Sequence, residues 1–497
     1  MTPEWILAGI TAYFLMLLII GRITSKNADS ASYFLGNKQS IWWMVALGML
    51  SDSMSGVSFI SVPGAVSVSH WHYFQLVIGY FFGYLVIAFV LLPLYYRYEL
   101  TSIYSYLESR FNPVAQKTGA FFFIISRLLG SAGRLFLAVL ILQVFLFDFW
   151  HVPFAVSVSI IIALILLYTL KGGIRTLVFT DAIQSVFLIG GLVIALYSML
   201  NSPSLSQFSL GEIFERSMHT EILNWNVLSS TFWGKHFIGG MFICIAMTGL
   251  DQNMMQKNLS LRTLKDAQKN MIATAFVVVL VNVVFLSLGV VMVEFLKETP
   301  SMNAVLNGKS DLYFPSIAFE LGGVAGMAFV LGLAAATFSS ADSVLTTLTT
   351  STYFDLLSVN KRTWTDKKKL SVRRLLHAIY AVLLLLAILG FNEFAEGAII
   401  DVVLGLANYT YGPLIGLFAL GIFTSRSPSA MGIILVSVIV PLLCWYLGKN
   451  VYVSDLMGVA HLNWSYSFGY ELILINGILS FLGFYVFSKE KDIRLKA

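Results

Sequence analysis

The chain has 497 residues, of which 58% are hydrophobic and 11% are charged, and its formal net charge is +5. Soluble domains contain about 45–50% apolar and about 25% charged residues, so no soluble globule of this composition could cover its apolar surface. The mean hydropathy of +0.81 indicates a membrane protein and excludes a nucleic-acid-binding protein, a secreted disulfide scaffold and a disordered regulator. Cys244 and Cys444 both lie in apolar runs, which excludes a disulfide framework and a cysteine-rich metal site.

Apolar runs long enough to cross a bilayer recur along the whole chain. Because the hydrocarbon core is about 30 Å thick and a helix rises about 1.5 Å per residue, a span needs roughly 20 apolar residues. The sequence predicts an all-α membrane protein with about 13 transmembrane helices in a single domain over residues 1–497. The runs lie near 5–23, 42–68, 73–96, 117–147, 153–170, 178–200, 234–256, 268–296, 324–353, 372–391, 397–423, 428–447 and 467–488.

The distribution of lysine and arginine predicts the orientation in the membrane. If the N-terminus is outside, the cytoplasmic loops hold 24 of the 31 Lys and Arg residues and the outward loops hold 5. Positive residues concentrate on the cytoplasmic side of membrane proteins, so we predict an inner or plasma membrane protein with its N-terminus outside and its C-terminus in the cytoplasm. The cytoplasmic loops in this arrangement are 22–40, 97–117, 171–177, 257–269, 356–375, 424–428 and 488–497.

Few charged side chains fall inside the predicted spans. Each would cost several kcal/mol in lipid and is therefore a candidate functional residue. For the two arginines we predict structural ion pairs with an acid on the cytoplasmic side, and a contact between Arg134 and a substrate carboxylate is the alternative. The charged residues within spans are Asp52, Arg127, Arg134, Asp181, Asp251 and Asp342.

The second span loses its apolar pattern at Ser51–Gly56 and continues with Pro63 and Gly64. Serine, glycine and proline allow a helix to unwind, and unwound carbonyls are tolerated in a membrane only where they line a cavity or hold an ion. A packing face of small residues is the alternative, but packing does not need Asp52. We therefore predict a broken helix that offers backbone carbonyls to an ion.

The ninth span carries the serine pair Ser339–Ser340, followed by Asp342 and Ser343, and its hydroxyl residues recur along one helix face. Hydrogen bonds from these hydroxyls to carbonyls one turn earlier are the alternative explanation, chiefly for the threonines that follow. By extension from calcium and magnesium, a bare monovalent cation needs roughly five or six oxygen ligands. The broken second span and the ninth span would supply them together.

A third polar segment, Lys171–Arg175 with Thr180, Asp181 and Gln184, re-enters the membrane from the cytoplasm. Asp181 falls about one helical turn inside the membrane, which suits a residue on an ion path. A helix-start carboxylate, stabilised by the helix dipole and by Arg175, is the alternative.

These segments together resemble the sodium/solute symporter family, which includes sodium/galactose, sodium/proline and sodium/sialic acid carriers. The resemblance implies a LeuT-like fold: one extra N-terminal helix, two five-helix halves at about 42–200 and 234–423 related by an inverted repeat, and two extra C-terminal helices. The first helix of each half is interrupted by glycine and polar residues, as such a repeat leads us to expect. The resemblance covers about residues 30–425 and rests on Trp42–Trp43, Ser51–Gly56, Gly172–Gly173, Thr180–Asp181, Gln184, Asp251–Gln252, Gln256 and Ala336–Ser343.

The family's common sodium site carries over onto matching positions of this sequence. By the resemblance, sodium would be bound by the backbone carbonyls of Ser51, Met54 and Ala336 and by the hydroxyls of Ser339 and Ser340.

The resemblance to the sialic acid carriers also implies a second cation position, at Asp181, Asp342 and Ser343. Asp342 adds a carboxylate where those carriers have serine, so either a second cation or a proton would suit the position. Asp52 stands where the sodium/proline carriers also have an aspartate.

The sugar pocket of the family does not carry over, because Ser58, Cys244 and Met247 replace the glutamine, asparagine and tyrosine of the galactose carriers. We expect a small polar organic solute: an amino acid, a carboxylate, a sialic acid or a sugar. For the polar residues of the pocket-lining spans, hydrogen bonding between helices is the alternative role. The coupling and substrate candidates are Asp52, Ser53, Ser58, Gln75, Asn408 and Tyr409.

The sequence therefore predicts a sodium-coupled symporter, not an enzyme, that imports its solute by alternating access. Its partners would be sodium, the solute and the lipid bilayer, without nucleic acid. The alternatives are a proton-coupled carrier, a sensor or channel built on a transporter fold, and an intramembrane aspartyl protease. A protease would need two cooperating aspartates, such as Asp52 and Asp342, but the serine and glycine around them favour ion coordination.

Overall fold

The computed structural model describes residues 2–24, 30–306, 308–394, 399–448 and 468–490. The helices and strands are α1 (Pro3–Thr24), α2 (Ser30–Leu35), α3 (Trp42–Ser53), α4 (Gly56–Ser69), α5 (Tyr73–Val86), α6 (Leu92–Arg97), α7 (Ser105–Arg110), α8 (Pro113–Phe145), α9 (Phe154–Leu200), α10 (Leu210–Arg216), α11 (Trp233–Cys244), α12 (Gln252–Leu259), α13 (Leu264–Glu298), α14 (Pro300–Leu306), α15 (Tyr313–Leu321), α16 (Gly323–Ser351), α17 (Asp366–Phe394), α18 (Ile399–Thr410), α19 (Gly412–Phe423), β1 (Arg426–Pro428), α20 (Ala430–Gly448), α21 (Leu472–Val486) and β2 (Ser488–Glu490). Short π-helical turns occupy Ile87–Leu91, Ile245–Gly249 and Thr352–Leu356.

Helices occupy the described parts of all the predicted apolar runs, and the prediction of an all-α protein is confirmed. The two short strands, β1 and β2, pair antiparallel near the C-terminal end of the described chain. Within the described residues, 8 helices are long and apolar enough to cross a membrane, or up to 10 if each bent pair forms one span. The count of about 13 spans stays a prediction.

The two runs predicted as separate spans, 153–170 and 178–200, are the two halves of α9, which meet at a kink where Gly173 leaves the helical conformation. The backbone φ angle at Gly173 is 59°, and a Cβ atom there would lie 2.4 Å from the Cα atom of Tyr33. Only glycine fits both conditions. The kink positions the second half of α9, which carries Asp181, against α3 and α16.

The second predicted span is broken where its serine and glycine residues predict a break. Helix α3 ends at Ser53, α4 begins at Gly56, and their axes are bent by 60°. Met54 leaves the helical conformation, with a ψ angle of 79°. The chain breaks again between α11 and α12, where a π-helical turn is followed by Asp251 in an extended conformation. The break in each predicted half falls in its first helix.

Helix α16 lies at the centre of the molecule and packs against α9, α8, α4 and α3. Every residue from Gly332 to Ser351 is buried, although many of them carry hydroxyl groups. The threonines satisfy themselves locally: the hydroxyls of Thr337, Thr346 and Thr350 each donate to the carbonyl four residues earlier. The alternative explanation for the hydroxyl stripe therefore describes these threonines, and Ser340, which donates to the carbonyl of Thr337, but it does not account for the contact of Ser339 with Ser51.

Candidate functional site

The break between α3 and α4 lies against the serine pair of α16. The hydroxyl of Ser51 donates a hydrogen bond to the hydroxyl of Ser339 at 2.7 Å, and both side chains are fully buried. The structure thus brings together the two distant segments on which the predicted sodium site depends.

The hydroxyl groups at this contact are arranged so that their oxygens can accept a cation. A hydroxyl has one proton and two lone pairs. Ser51 donates its proton to Ser339, and Ser340 donates its proton to the carbonyl of Thr337 at 2.9 Å. Since the last carbonyls of a helix have no partner within that helix, the end of α3 adds backbone oxygens beside the hydroxyls. This donor set is of the kind that a hard monovalent cation prefers.

A second group of buried side chains lies beside the break and contains one positive charge between two negative charges. The Lys257 Nζ atom lies 2.5 Å from an Oδ2 atom of Asp52 and 2.5 Å from an Oδ2 atom of Asp181. Asn253 donates to the same oxygen of Asp52 at 3.2 Å, and Ser343 donates to that of Asp181 at 3.5 Å. We call Asp52, Asp181 and Lys257 the lysine cluster.

The position of Lys257 corrects two expectations. The predicted cytoplasmic loop 257–269 begins too early, because α12 continues to Leu259 and holds Lys257 inside the protein with 0% of its surface exposed. The alternative in which Arg175 and the helix dipole stabilise Asp181 does not describe the structure, since Asp181 contacts Lys257 and Arg175 is exposed. A signal was present in the sequence: two aspartates inside predicted spans need a positive partner.

Arg127 forms the structural ion pair that was predicted for it. Its Nε atom lies 2.5 Å from Oδ2 of Asp251, and the hydroxyl of Tyr411 donates to the same oxygen at 2.9 Å. The other carboxylate oxygen of Asp251 accepts the backbone N–H groups of Asn253 and Met254 and so caps α12. We call Arg127, Asp251 and Tyr411 the arginine cluster.

Arg134 has a different environment from Arg127. No ion pair joins it to any carboxylate in the described part of the chain, so the structural ion pair predicted for Arg134 is not found there. Arg134 lines a central cavity of about 90 Å³, together with Asp52, Ser53 and Ser58, and Arg127 lines it too.

Three tyrosines of α5 also line this cavity, and they are not among the residues predicted from the sequence. Tyr73, Tyr80 and Tyr84 follow one another at steps of two turns and one turn, so they lie on one face of the helix. The hydroxyl of Tyr84 lies 3.2 Å from that of Ser53. In an apolar helix, such tyrosines cannot be told from ordinary packing residues by their spacing alone.

Comparison with known proteins identifies the family. The model of the sodium:solute symporter family matches residues 33–437. The chain belongs to this family. It is 24% identical over 453 residues to the sodium/sialic acid symporter SiaT of Proteus mirabilis (strain HI4320), covering 88% of this chain and 89% of that protein. It is 29% identical over 399 residues to the sodium-dependent multivitamin transporter of Oryctolagus cuniculus, and the match covers 76% of this chain and 59% of that protein.

A solved structure shows the same fold. The carrier superposes on a sodium-coupled sialic acid symporter in its substrate-bound outward-open state with a TM-score of 0.80, at 20% identity, over 98% of this chain and 99% of that one. The prediction of an all-α, LeuT-like membrane fold is therefore confirmed. The boundaries of the two inverted halves stay a prediction.

The carrier has a second cavity of about 470 Å³ beside the central one, and Tyr73 lines both. Of the remaining substrate candidates, Asn408 lines this second cavity. Gln75 and Tyr409 line neither cavity. The amide nitrogen of Gln75 donates to the carbonyl of Thr231 at 3.4 Å, and the carbonyl of Tyr409 accepts from Asn476 at 3.0 Å. The alternative role, hydrogen bonding between segments, therefore describes what Gln75 does in this structure.

Proposed function

We propose that this carrier is a sodium-coupled secondary active symporter that imports a small carboxylate-bearing solute by alternating access. The observation that carries the proposal is the buried contact between Ser51 and Ser339, at 2.7 Å, in a chain of the sodium:solute symporter family. It joins a broken helix to the hydroxyl-rich helix α16, and a cation bound there would hold these two elements together.

The sodium site of this proposal consists of five residues, two at the broken end of α3 and three on α16. Oxygen ligands would come from the carbonyls of Ser51, Met54 and Ala336 and from the hydroxyls of Ser339 and Ser340. Because α3 and α16 belong to different predicted halves, sodium would favour the arrangement in which the halves are joined at this point. A ligand shifts a conformational equilibrium only by its difference in affinity for the two states, and by linkage sodium and solute must raise each other's affinity equally.

Arg134 supports a carboxylate as the part of the solute that is recognised. A planar guanidinium binds a carboxylate through two parallel hydrogen bonds, and no carboxylate of the described chain uses Arg134 in this way. The tyrosines of α5 would enclose the rest of a small solute. The relative from Proteus mirabilis, a sialic acid symporter by name, is consistent with an acidic solute.

The remaining elements of the proposal concern placement in the membrane. We propose one domain over residues 1–497, with halves at about 42–200 and 234–423 related by an inverted repeat, in a cell membrane with the N-terminus outside and the C-terminus in the cytoplasm. The excess of lysine and arginine in the predicted cytoplasmic loops supports this orientation. The excess remains when the buried Lys257 is left out of the count.

The orientation can be tested with single cysteines in a variant that lacks Cys244 and Cys444. Ser206 and Asn360 are both exposed and lie in loops predicted to be on opposite sides. We expect a membrane-impermeant maleimide to label Ser206→Cys on intact cells and Asn360→Cys only after permeabilisation. The reverse pattern would contradict the orientation.

A thermal-shift screen of the purified protein tests the solute and its coupling to sodium. Carboxylates, sialic acids, amino acids and sugars are each added in sodium and in choline buffer. We expect stabilisation by a carboxylate-bearing compound that requires sodium, because only a ligand that binds the folded state raises its stability. Arg134→Gln should abolish this shift, whereas Arg262→Gln, an exposed control, should retain it. Equal stabilisation with and without sodium would contradict coupled binding.

A further inference from the structure

The ammonium group of Lys257 contacts the carboxylate of Asp181, one of the three residues at which the resemblance implies a second cation. That position was assigned to Asp181, Asp342 and Ser343. Ser343 donates to Oδ2 of Asp181 at 3.5 Å, and the ammonium group of Lys257 lies 2.5 Å from the same oxygen. A free cation bound to this oxygen would need space that the ammonium group occupies.

The lysine is also held firmly in this position. Its side chain is 0% exposed, and two of its three N–H donors face carboxylates, those of Asp52 and Asp181. Withdrawing the ammonium group would leave two buried carboxylates without a positive partner, which is strongly unfavourable. The lysine therefore cannot readily give way to a free cation while both aspartates are charged.

Sodium and an ammonium group bring the same charge to a carboxylate. We propose that Lys257 takes the place of a second coupling ion, so that the carrier binds a single mobile sodium ion in each transport cycle. This single sodium ion binds at the proposed sodium site between α3 and α16. Because the lysine is covalently part of α12, its charge stays within the protein and is not released with the solute. This inference rests on the proposed sodium coupling.

Equilibrium binding of radiolabelled sodium to the purified full-length carrier tests the inference without knowledge of the solute. We expect one sodium ion per wild-type chain. Lys257→Met removes the tethered charge and opens space between two carboxylates, so we expect two ions per chain. The double variant Lys257→Met/Asp181→Asn restores the net charge of the lysine cluster and removes the carboxylate of Asp181 as an ion ligand, so we expect one ion again. Lys265→Met, an exposed lysine near the start of α13, should bind one ion like the wild type.

The outcomes separate the inference from the proposed function. Two ions in the wild type, or one ion in Lys257→Met, would overturn the role of Lys257 and leave sodium coupling intact. No sodium bound to any variant would overturn sodium coupling itself. If Lys257→Met does not fold, the wild type and the charge-balanced double variant decide: one ion in both supports the inference, and two in either contradicts it.

Discussion

The two buried charge clusters of this carrier differ in how completely their charges are matched. In the arginine cluster, Arg127 and Asp251 neutralise each other, and both carboxylate oxygens of Asp251 accept hydrogen bonds. In the lysine cluster one ammonium group faces two carboxylates, and an Oδ1 atom of Asp52 and one of Asp181 have no hydrogen-bond partner among the described residues.

This difference separates a structural role from a role in transport. A matched pair with every oxygen satisfied holds helices together and gains nothing from a further ion. The unmatched group next to the break in α3 and α4 retains one net negative charge, which would favour the single sodium ion proposed to bind between α3 and α16. Both clusters contain aspartates within apolar spans, so residue type alone does not distinguish them.

The largest expected effect is on stability, in the arginine cluster. Arg127→Met leaves Asp251 buried and unpaired, which should lower the free energy of unfolding by about 3–5 kcal/mol. Denaturation in detergent, monitored in sodium and in choline buffer, measures the loss, and we expect sodium not to repair it. The double variant Arg127→Met/Asp251→Asn removes both charges and should recover much of the stability. Wild-type stability of the single variant would contradict a structural ion pair.

The lysine cluster should respond differently to the same kind of change. Lys257→Met should cost roughly 3 kcal/mol in choline buffer, but sodium entering the vacated position should restore stability. Sodium at a concentration of about 100 times its Kd would add about 2.7 kcal/mol to the free energy of unfolding. Parallel denaturation curves of the Arg127→Met and Lys257→Met variants give the comparison. If sodium rescues both variants or neither, the two clusters do not differ as described.

A smaller effect is expected at the sodium site itself. Ser339→Ala removes a hydroxyl oxygen that would contact a cation, and hydrogen bonds or contacts to charged groups are worth about 1.5–3 kcal/mol. The sodium concentration for half-maximal uptake should therefore rise roughly 10- to 100-fold. Sodium titration of uptake in cells or proteoliposomes measures this change. An unchanged sodium affinity would remove Ser339 from the site.

The smallest effect is expected for a hydroxyl on the same helix that donates its proton to a carbonyl one turn earlier. Thr346 donates to the carbonyl of Asp342 at 3.3 Å and lies about two turns beyond Ser339. Thr346→Val keeps the side-chain shape, so we expect a loss of about 0.5–1.5 kcal/mol in stability and an unchanged sodium affinity. The same denaturation and uptake measurements apply. A large shift in sodium affinity would mean that the site extends further along α16.

The sequence was sufficient to predict the features that depend on local composition. Polar and helix-breaking residues interrupt the apolar runs at Ser51–Gly56 and at the serine pair on α16. Such residues are tolerated within a membrane where they hold an ion, so the pattern predicts both segments and their contact. Arg127 was also predicted correctly, because a buried charge needs a partner. Such features can be derived because each violates the composition that a lipid-facing helix requires.

The features that depend on where a helix ends, or on which way a side chain points, could not be derived. Lys257 lies within the few residues by which predicted helix ends are uncertain, and counting positive residues by loop placed it on the wrong side of that boundary. The tyrosines of α5 fit an apolar helix as well as they fit a cavity wall. Gln75 resembled a pocket residue, but it holds neighbouring segments in place through its amide.

The central claim is that a sodium gradient drives solute uptake, and accumulation in proteoliposomes tests it most directly. The carboxylate identified by thermal shift is supplied in labelled form, with sodium outside and potassium inside. We expect its internal concentration to exceed the external one and to fall when the sodium gradient is collapsed. Equilibration without accumulation, or accumulation driven by a pH gradient in the absence of sodium, would contradict the account.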